Sequence, residues 1–224
     1  MSVLIVVASY NGKEFLPKFL NSLEEHKKED FDVLVVDTGT TDIESLNYLE
    51  SIKTKYKVER TPYKGYDTGA YIYAIKGHLY DEYIFLHDSL EILSDNFVND
   101  FRAHQKDVCY YSNFCLGYDN EEQRLHLVNI GIFNGETTHG CFGPIFYAKR
   151  NVLEDILKSF DVDKIIPTNK IQQQGMERGW PMMFDKVTNS IAATAPHDTF
   201  SNSNIGNYRI STCGSFRKYY PTRQ

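Results

Sequence analysis

The chain has 224 residues, of which 42% are hydrophobic and 24% are charged, and this mixture is typical of a single globular α/β domain. Its formal net charge of -6 gives no electrostatic case for binding nucleic acid or an anionic membrane surface. No apolar run approaches the roughly 20 residues that cross a bilayer, and the first residues lack the layout of a signal peptide. We therefore expect a soluble, cytoplasmic protein with no transmembrane segment and no nucleic-acid partner.

In its first half, the sequence alternates buried strands with amphipathic helices. The predicted strands are residues 3–8, 31–36, 57–60 and 83–86, of which the first two are aliphatic runs expected for strands buried on both faces. The predicted helices are residues 15–23, 41–52 and about 96–105, and residues 65–70 are predicted to form a turn that leads into a helix through Ile75. Thr41 and Glu44 have the spacing of a capping box at the start of the second helix. This order predicts a parallel sheet with right-handed crossovers.

The second half is less regular. Residues 108–114 and 125–133 are predicted to form two strands joined by a polar loop. Residues 135–143 are rich in Gly and Thr and predict a loop, in which His139 would shape an acceptor pocket. A short strand is predicted at residues 144–147.

Two helices and a basic tail complete the chain. Residues 151–160 and 170–179 are predicted to be helical. The tail contains Arg217, Lys218 and Arg223, which could fold over a bound diphosphate. A charged, frayed terminus is the favoured interpretation.

The four cysteines show neither paired CxxC spacing nor a dense framework. This pattern predicts free thiols in a reducing compartment, with a zinc site as the alternative. They are Cys109, Cys115, Cys141 and Cys213.

The fourth predicted strand ends abruptly in the polar cluster His87-Asp88-Ser89. Ligands collect at the carboxyl ends of strands in an open α/β sheet, so a charged substrate group or a metal would sit beside Asp88. Asp88 could instead start a turn or cap the next helix.

Three segments together resemble the GT-A glycosyltransferases, especially family 2. They are residues 6–12, residues 35–42 and residues 85–89, each at the end of a predicted strand. The compact size is also similar to glycosyltransferase domains of large algal viruses, which would place the protein in the host cytoplasm. The resemblance implies a single GT-A domain, with a Rossmann-like, mixed but mainly parallel sheet flanked by helices. It also implies a nucleotide-sugar-binding half at about 1–106 and an acceptor-binding half at about 107–224.

The resemblance implies that Ala8, Tyr10 and Asp37 hold the base of a UDP-sugar. A carboxylate at a strand end can accept the imide N–H of uracil, which agrees with this role for Asp37. Alternatively, Asp37 and Asp42 only satisfy loop and helix-start amides. Asp67 lies where the family often has an Asn, so a ribose or base contact is implied, with a simple turn Asp as the alternative.

Asp88 occupies the family's Asp-x-Asp position, which implies a divalent cation, Mn²⁺ or Mg²⁺, bridging the two phosphates of the donor. This sequence departs from the pattern because His87 and Ser89 flank a single Asp, which puts the metal dependence in question. Glu91 is a further candidate. The resemblance implies His197 as a second protein ligand, although a lone His is usually structural.

Glu177 lies at a position similar to that of the family's general base, which removes the acceptor hydroxyl proton. The alternative is a solvated helix Glu that pairs with a nearby Lys or Arg. Asp161, Asp163 and Asp185 are the other candidates for the base. Trp180 would form a sugar-stacking wall or pack in the core.

The implied function is transfer of a sugar from a UDP-sugar to a hydroxyl of a carbohydrate or other acceptor, with inversion by direct displacement. One alternative is an inert GT-A-like module that binds a sugar nucleotide or glycan without turnover. Another is a sugar-1-phosphate nucleotidyltransferase, which would need a Gly-rich triphosphate loop after the first strand. Residues 9–13 match that loop poorly.

Overall fold

The structure, a computed structural model, describes residues 1–64, 66–114, 120–133, 139–194, 203–205 and 208–221. The strands are β1 (Val3–Ser9), β2 (Asp32–Asp37), β3 (Lys57–Arg60), β4 (Glu82–His87), β5 (Leu90–Ile92), β6 (Val108–Phe114), β7 (His139–Lys149), β8 (Ile191–Thr194), β9 (Ser203–Ile205), β10 (Tyr208–Cys213) and β11 (Phe216–Pro221). The helices are α1 (Leu16–Glu25), α2 (Ile43–Ser51), α3 (Tyr66–Gly77), α4 (Phe97–Arg102), α5 (Glu121–Ile130), α6 (Arg150–Ser159), α7 (Val162–Ile165) and α8 (Lys170–Val187), and a short 3₁₀ helix (Ile52–Thr54) follows α2. Within these ranges, no helix is long and apolar enough to span a membrane.

The main sheet has seven strands in the order β3-β2-β1-β4-β7-β6-β8. The first four strands in this order pair in parallel, as does β8 with β6. β7 runs antiparallel to both of its neighbours. The predicted α/β class, with a mixed but mainly parallel sheet, is therefore confirmed.

The central strand β1 is buried on both faces, which explains its continuous aliphatic sequence. Val3, Ile5 and Val7 pack into the core formed with α1 and α4. The even-numbered residues between them pack into the core formed with α3 and α8. The two cores hold the sheet between layers of helices, so the carboxyl ends of its strands form a common edge.

The end of the chain forms a second sheet instead of a frayed tail. Its order is β5-β11-β10-β9, and every pairing in it is antiparallel. Phe216 is buried against Phe97 and Phe101 of α4, which anchors β11 to the core. The prediction of a frayed terminus is therefore wrong for Arg217 and Lys218, while Arg223 lies outside the described residues.

The strand predicted at residues 125–133 is wrong, because most of these residues belong to α5. The side chain of Asn120 caps this helix by accepting a hydrogen bond from the backbone N–H of Glu122 (2.7 Å). Gly131 ends the helix with a φ of 84°. The strand β6 pairs instead with β7 and β8, which are distant in sequence.

The loop and short strand predicted at residues 135–147 are replaced, from His139 onward, by the single strand β7. Residues 134–138 lie outside the described part of the chain. The strand is irregular in the middle, where its register with β6 shifts between Tyr110 and Ser112. Gly143 lies in this irregular part with a left-handed φ of +52°.

The helical assignment of α5 predicts different costs for two neighbouring leucines. Leu127 is completely buried, whereas Leu125 is 51% exposed, although a strand would point both toward the same face. We expect Leu127→Ala to lower the free energy of unfolding by about 2–4 kcal/mol. Leu125→Ala should change it by less than about 0.5 kcal/mol, as measured by urea denaturation. Equal losses from both substitutions would contradict the helix.

Candidate functional site

The loops after β1 and β2 are joined by the side chain and backbone of Asn11. Its Oδ1 accepts hydrogen bonds from the backbone N–H groups of Thr41 (2.9 Å) and Asp42 (3.1 Å). Its own N–H donates to Thr40 Oγ1 (3.0 Å). Asp42, not Thr41, caps α2, because its Oδ2 accepts from the N–H of Ser45 (2.9 Å). The two loops therefore form one surface at the carboxyl edge of the sheet.

Asp37 ends β2 and supports the loop that follows it. Its Oδ1 accepts from the backbone N–H groups of Gly39 (3.0 Å) and Thr40 (2.7 Å). Its Oδ2 lies 3.6 Å from Nε of Arg60, at the end of β3. These contacts agree with the interpretation that Asp37 satisfies the amides of its loop. Oδ2 is the carboxylate oxygen that faces Arg60. A cation at the end of the third parallel strand is the sequence signal that would have identified Arg60.

Asp88 lies directly beside the loop that follows β1. Its Oδ2 accepts hydrogen bonds from Ser9 Oγ (2.7 Å) and from the N–H of Tyr10 (3.4 Å). Its backbone N–H donates to the carbonyl oxygen of Ala8 (3.0 Å). A Cβ at Gly12 would lie 2.5 Å from Asp88 Oδ2, so the glycine leaves room for the carboxylate. The structure therefore brings Ala8, Tyr10 and Asp88 together.

Three charged groups from other parts of the chain lie within electrostatic reach of Asp67. Burial raises the pKa of Asp67, in the first turn of α3, to about 7. The positive charge of Lys218 opposes this rise, while the negative charges of Asp88 and Glu177 add to it. Burial also raises the pKa of Asp88 to about 6, against the hydrogen bonds that it accepts. We refer to Asp67, Asp88 and Glu177 as the carboxylate cluster.

Glu177 reaches this cluster because α8 is fixed to the start of α3. Gln173 Oε1 accepts from the N–H of Thr68 (3.3 Å), and Trp180 Nε1 donates to Thr68 Oγ1 (3.3 Å). Residues 173, 177 and 180 are spaced to share one face of a helix. Glu177 therefore lies between two contacts to the residue that follows Asp67.

Trp180 is a core residue. Its side chain is completely buried, with ring centroids 4.9 Å from Phe146 and 6.2 Å from Tyr71. The interpretation of Trp180 as a sugar-stacking wall is therefore wrong, and core packing is confirmed.

Two other candidates are held away from the cluster by local partners. Glu91 pairs with Arg217 (2.8 Å) and accepts a hydrogen bond from the hydroxyl of Tyr219. Asp161 caps α7 by accepting from the N–H of Asp163 (3.1 Å). These contacts give Glu91 and Asp161 structural roles.

Lys218 lies beside Gly143 and His87, although the sequence favoured a frayed terminus over a diphosphate contact for this residue. A Cβ at Gly143 would lie 2.1 Å from Lys218 Nζ and 3.1 Å from His87 Nε2, so this glycine makes room for both side chains. His87 is buried, with Nδ1 2.9 Å from Ser89 Oγ. Burial and the positive charge of Lys218 hold the pKa of His87 well below its usual value, so the imidazole is neutral.

The side chains available as ligands suit a cation that is bound mainly by the phosphates of a nucleotide. In the part of the chain that the structure describes, no three His, Cys, Asp or Glu side chains are grouped to hold a metal ion. His197, the second predicted ligand, lies outside that part. The raised pKa values of Asp67 and Asp88 identify carboxylates that a nearby cation would stabilise. Mg²⁺ and Mn²⁺ accept one or two carboxylates together with phosphate oxygens and water.

The raised pKa of Asp67 predicts how the stability of the ligand-free protein depends on pH. Between about pH 4 and pH 7, folded Asp67 retains a proton that the unfolded chain releases, so this group destabilises the fold as the pH rises. We expect Asp67→Asn to gain roughly 1–2 kcal/mol in unfolding free energy, relative to the unsubstituted chain, between about pH 5 and pH 8. Urea denaturation at both pH values measures this gain. The exposed Asp155→Asn is the control, and parallel pH profiles for all three proteins would contradict the prediction.

The fold is similar to those of two solved structures. The S. aureus TarS 1–349 structure has a TM-score of 0.54 and 19% identity, over 87% of this chain and 58% of that one. Glucosyl-3-phosphoglycerate synthase from Mycobacterium tuberculosis, in complex with Mn²⁺ and UDP-glucose, has a TM-score of 0.52 and 15% identity, over 98% of this chain and 86% of that one. The chain spans only 35% of the longer S. aureus TarS chain. At these identities, the likeness establishes a shared GT-A fold.

No curated protein matches the chain in sequence. The family model described as "Glycosyl transferase family 2" matches residues 4–163, which is more than half of the chain. The match contains both loops at the carboxyl edge of the sheet, together with Asp67 and Asp88. The chain belongs to glycosyl transferase family 2.

Proposed function

We propose that the chain transfers a sugar from a UDP-sugar to a hydroxyl of a glycan or other acceptor, with inversion at the anomeric carbon. The observation that carries this proposal is the carboxylate cluster beside the joined loops of β1 and β2. Family membership supports glycosyl transfer as the reaction class. The neighbour that was solved with Mn²⁺ and UDP-glucose supports this donor type and this cation.

The joined loops would bind the uridine part of the donor. Tyr10 is 51% exposed beside Asp88, so its ring is accessible for stacking on a base. Asp37 Oδ2 would accept the imide N–H of uracil, with Ala8 beneath the base. Asp67, whose raised pKa lets it carry a proton near neutral pH, would contact the ribose.

Asp88 and His197 would hold the divalent cation, Mn²⁺ or Mg²⁺. The cation, when bound, would stabilise the negative charge that develops on the departing diphosphate. The Ser9 hydroxyl and the N–H of Tyr10 orient Asp88 by binding its Oδ2. This arrangement fixes the carboxylate before the donor arrives, which lowers the cost of forming the bound state.

Glu177 would act as the general base. It accepts the proton of the acceptor hydroxyl as that oxygen bonds to the anomeric carbon, while the bond from that carbon to the phosphate oxygen breaks and UDP leaves. The contacts of Gln173 and Trp180 with Thr68 hold α8 in place, so the carboxylate is positioned by a rigid helix. Because Glu177 lies in the half at about 107–224, we assign the acceptor side of the cleft to that half.

A second candidate function is a binding module that does not turn over its ligand. It is favoured by the single Asp at the tip of β4, flanked by the neutral His87. A nucleotidyltransferase is disfavoured, because Lys13, the basic residue of the first loop, forms an ion pair with Glu44.

UDP release from a panel of UDP-sugars, measured with Mn²⁺ and with a chelator, tests the proposed reaction. We expect Mn²⁺-stimulated release, and a loss of at least roughly 100-fold in turnover for Asp88→Asn, because an amide is a poor ligand for the cation. Asp155→Asn, on the exposed face of α6, should retain full turnover. Binding of UDP without any release would favour the inert module. Full turnover of Asp88→Asn would contradict the proposal that Asp88 binds the cation.

The base role of Glu177 is tested separately. Glu177→Gln should lower kcat by roughly 10²–10⁴-fold, since the amide cannot take the acceptor proton. The affinity for UDP should stay unchanged, because the base contacts the acceptor. Glu154→Gln, which removes a carboxylate on α6, is the matched control. A loss of UDP affinity as large as the loss of kcat would indicate a structural role for Glu177. Separately, NMR of the product would show whether the anomeric configuration is inverted.

A further inference from the structure

We propose that Lys218 is a phosphate-binding residue of the donor site. Its ammonium group would bind the diphosphate of the UDP-sugar at the tip of β4 and supply a fixed positive charge there. This inference rests on the proposed function, and it concerns a residue at the opposite end of the chain from the loops that bind the base.

Strand pairing carries Lys218 to the site. In the register of β11 with β5, Lys218 lies opposite Leu90. The backbone N–H of Tyr219 donates to the carbonyl oxygen of Ser89 (2.9 Å), which is the residue directly after Asp88. The backbone of β11 is thus fixed next to the strand tip, and a two-residue displacement along the strand would move Lys218 away from it.

The side chains of β11 alternate in a way that separates Lys218 from its neighbours. Arg217 and Tyr219 both bind the carboxylate of Glu91 on one side of the strand. Successive side chains of a strand point to opposite sides, so Lys218 projects away from Glu91. Arg217 is therefore used structurally, and Lys218 is the cation of this strand that reaches the site.

The site is shaped to receive this lysine. A Cβ at Gly143 would lie 2.1 Å from Nζ, so the lysine side chain would have to shift if this residue were larger. Nζ also lies 5.3 Å from the ring centroid of Phe142, a distance suited to a cation–π contact. The neighbouring His87 is neutral and adds no charge of its own. A glycine, an aromatic ring and an uncharged imidazole therefore lie next to the ammonium.

The negative charges around the site indicate what the positive charge of Lys218 would do. The carboxylate cluster makes the site negative, and an incoming diphosphate would add further negative charge. Lys218 acts electrostatically on both Asp67 and His87. With one Asp in place of the usual pair, the protein offers the metal fewer ligands. A lysine at this point would share the neutralisation of the phosphates with the cation.

The test compares uridine, UMP and UDP as ligands in the presence of a chelator, by isothermal titration calorimetry. Lys218→Met removes the charge and keeps an unbranched side chain over Phe142. We expect this substitution to weaken UDP binding by roughly 10–100-fold and to leave uridine binding unchanged. Lys158→Met, at an exposed position on α6, should change neither. Added NaCl should weaken binding of UDP, but not of uridine, to the unsubstituted protein.

The possible results separate this inference from the proposed function. If Lys218→Met binds UDP as tightly as the unsubstituted protein, the phosphate role is overturned while glycosyl transfer stands. If uridine and UDP weaken equally, the lysine acts structurally and the inference also fails. If the unsubstituted protein binds no uridine nucleotide, the proposed function falls and the inference falls with it. Circular dichroism and thermal unfolding of Lys218→Met exclude a folding defect as the cause of any loss.

Discussion

The desolvation of carboxylates that lie close together is the constraint on which the candidate site depends. Asp67, Asp88 and Glu177 come from α3, the tip of β4 and α8, and burial raises the pKa of the first two to about 7 and about 6. Burial makes the ionised forms of Asp67 and Asp88 unfavourable, and a bound cation would stabilise them. The same electrostatic condition would oppose the binding of a bare diphosphate. The proposed donor would therefore need positive charge from a bound cation, from the protein, or from both.

The sheet order explains how residues far apart in sequence meet. β2, β1 and β4 are adjacent and parallel, so Asp37 and Asp88 lie on either side of Ser9 at one edge. Asn11 then ties the two loops together through three hydrogen bonds. These contacts are made within the chain before any ligand binds, which is what a preorganised site requires. The second sheet adds β11 to this edge, and α8 adds Glu177 from the other half.

The parallel first half could be predicted from the sequence because its signals are local. Aliphatic runs and the polar residues after them fix both the strands and the edge where Asp37 and Asp88 lie. The helix α5 was missed because Leu125 and Leu127 also fit a strand alternation, and only tertiary packing separates them. Lys218 was assigned to a frayed terminus for another reason. Its position depends on pairing with the three-residue strand β5, a contact between residues far apart in sequence that no local pattern encodes.

Asp67 and Asp88 have unequal surroundings, and this inequality agrees with the different roles proposed for them. Ser9 and the N–H of Tyr10 bind Oδ2 of Asp88, which favours its charged form and keeps its pKa the lower of the two. Burial and the negative charges of Asp88 and Glu177 raise the pKa of Asp67 to about 7, so the group is about half protonated at neutral pH. In the proposed function, Asp88 would therefore be the cation ligand, whereas Asp67 would donate a hydrogen bond to a sugar hydroxyl. Groups with separated pKa values allow one site to bind a cation and a neutral polar group together.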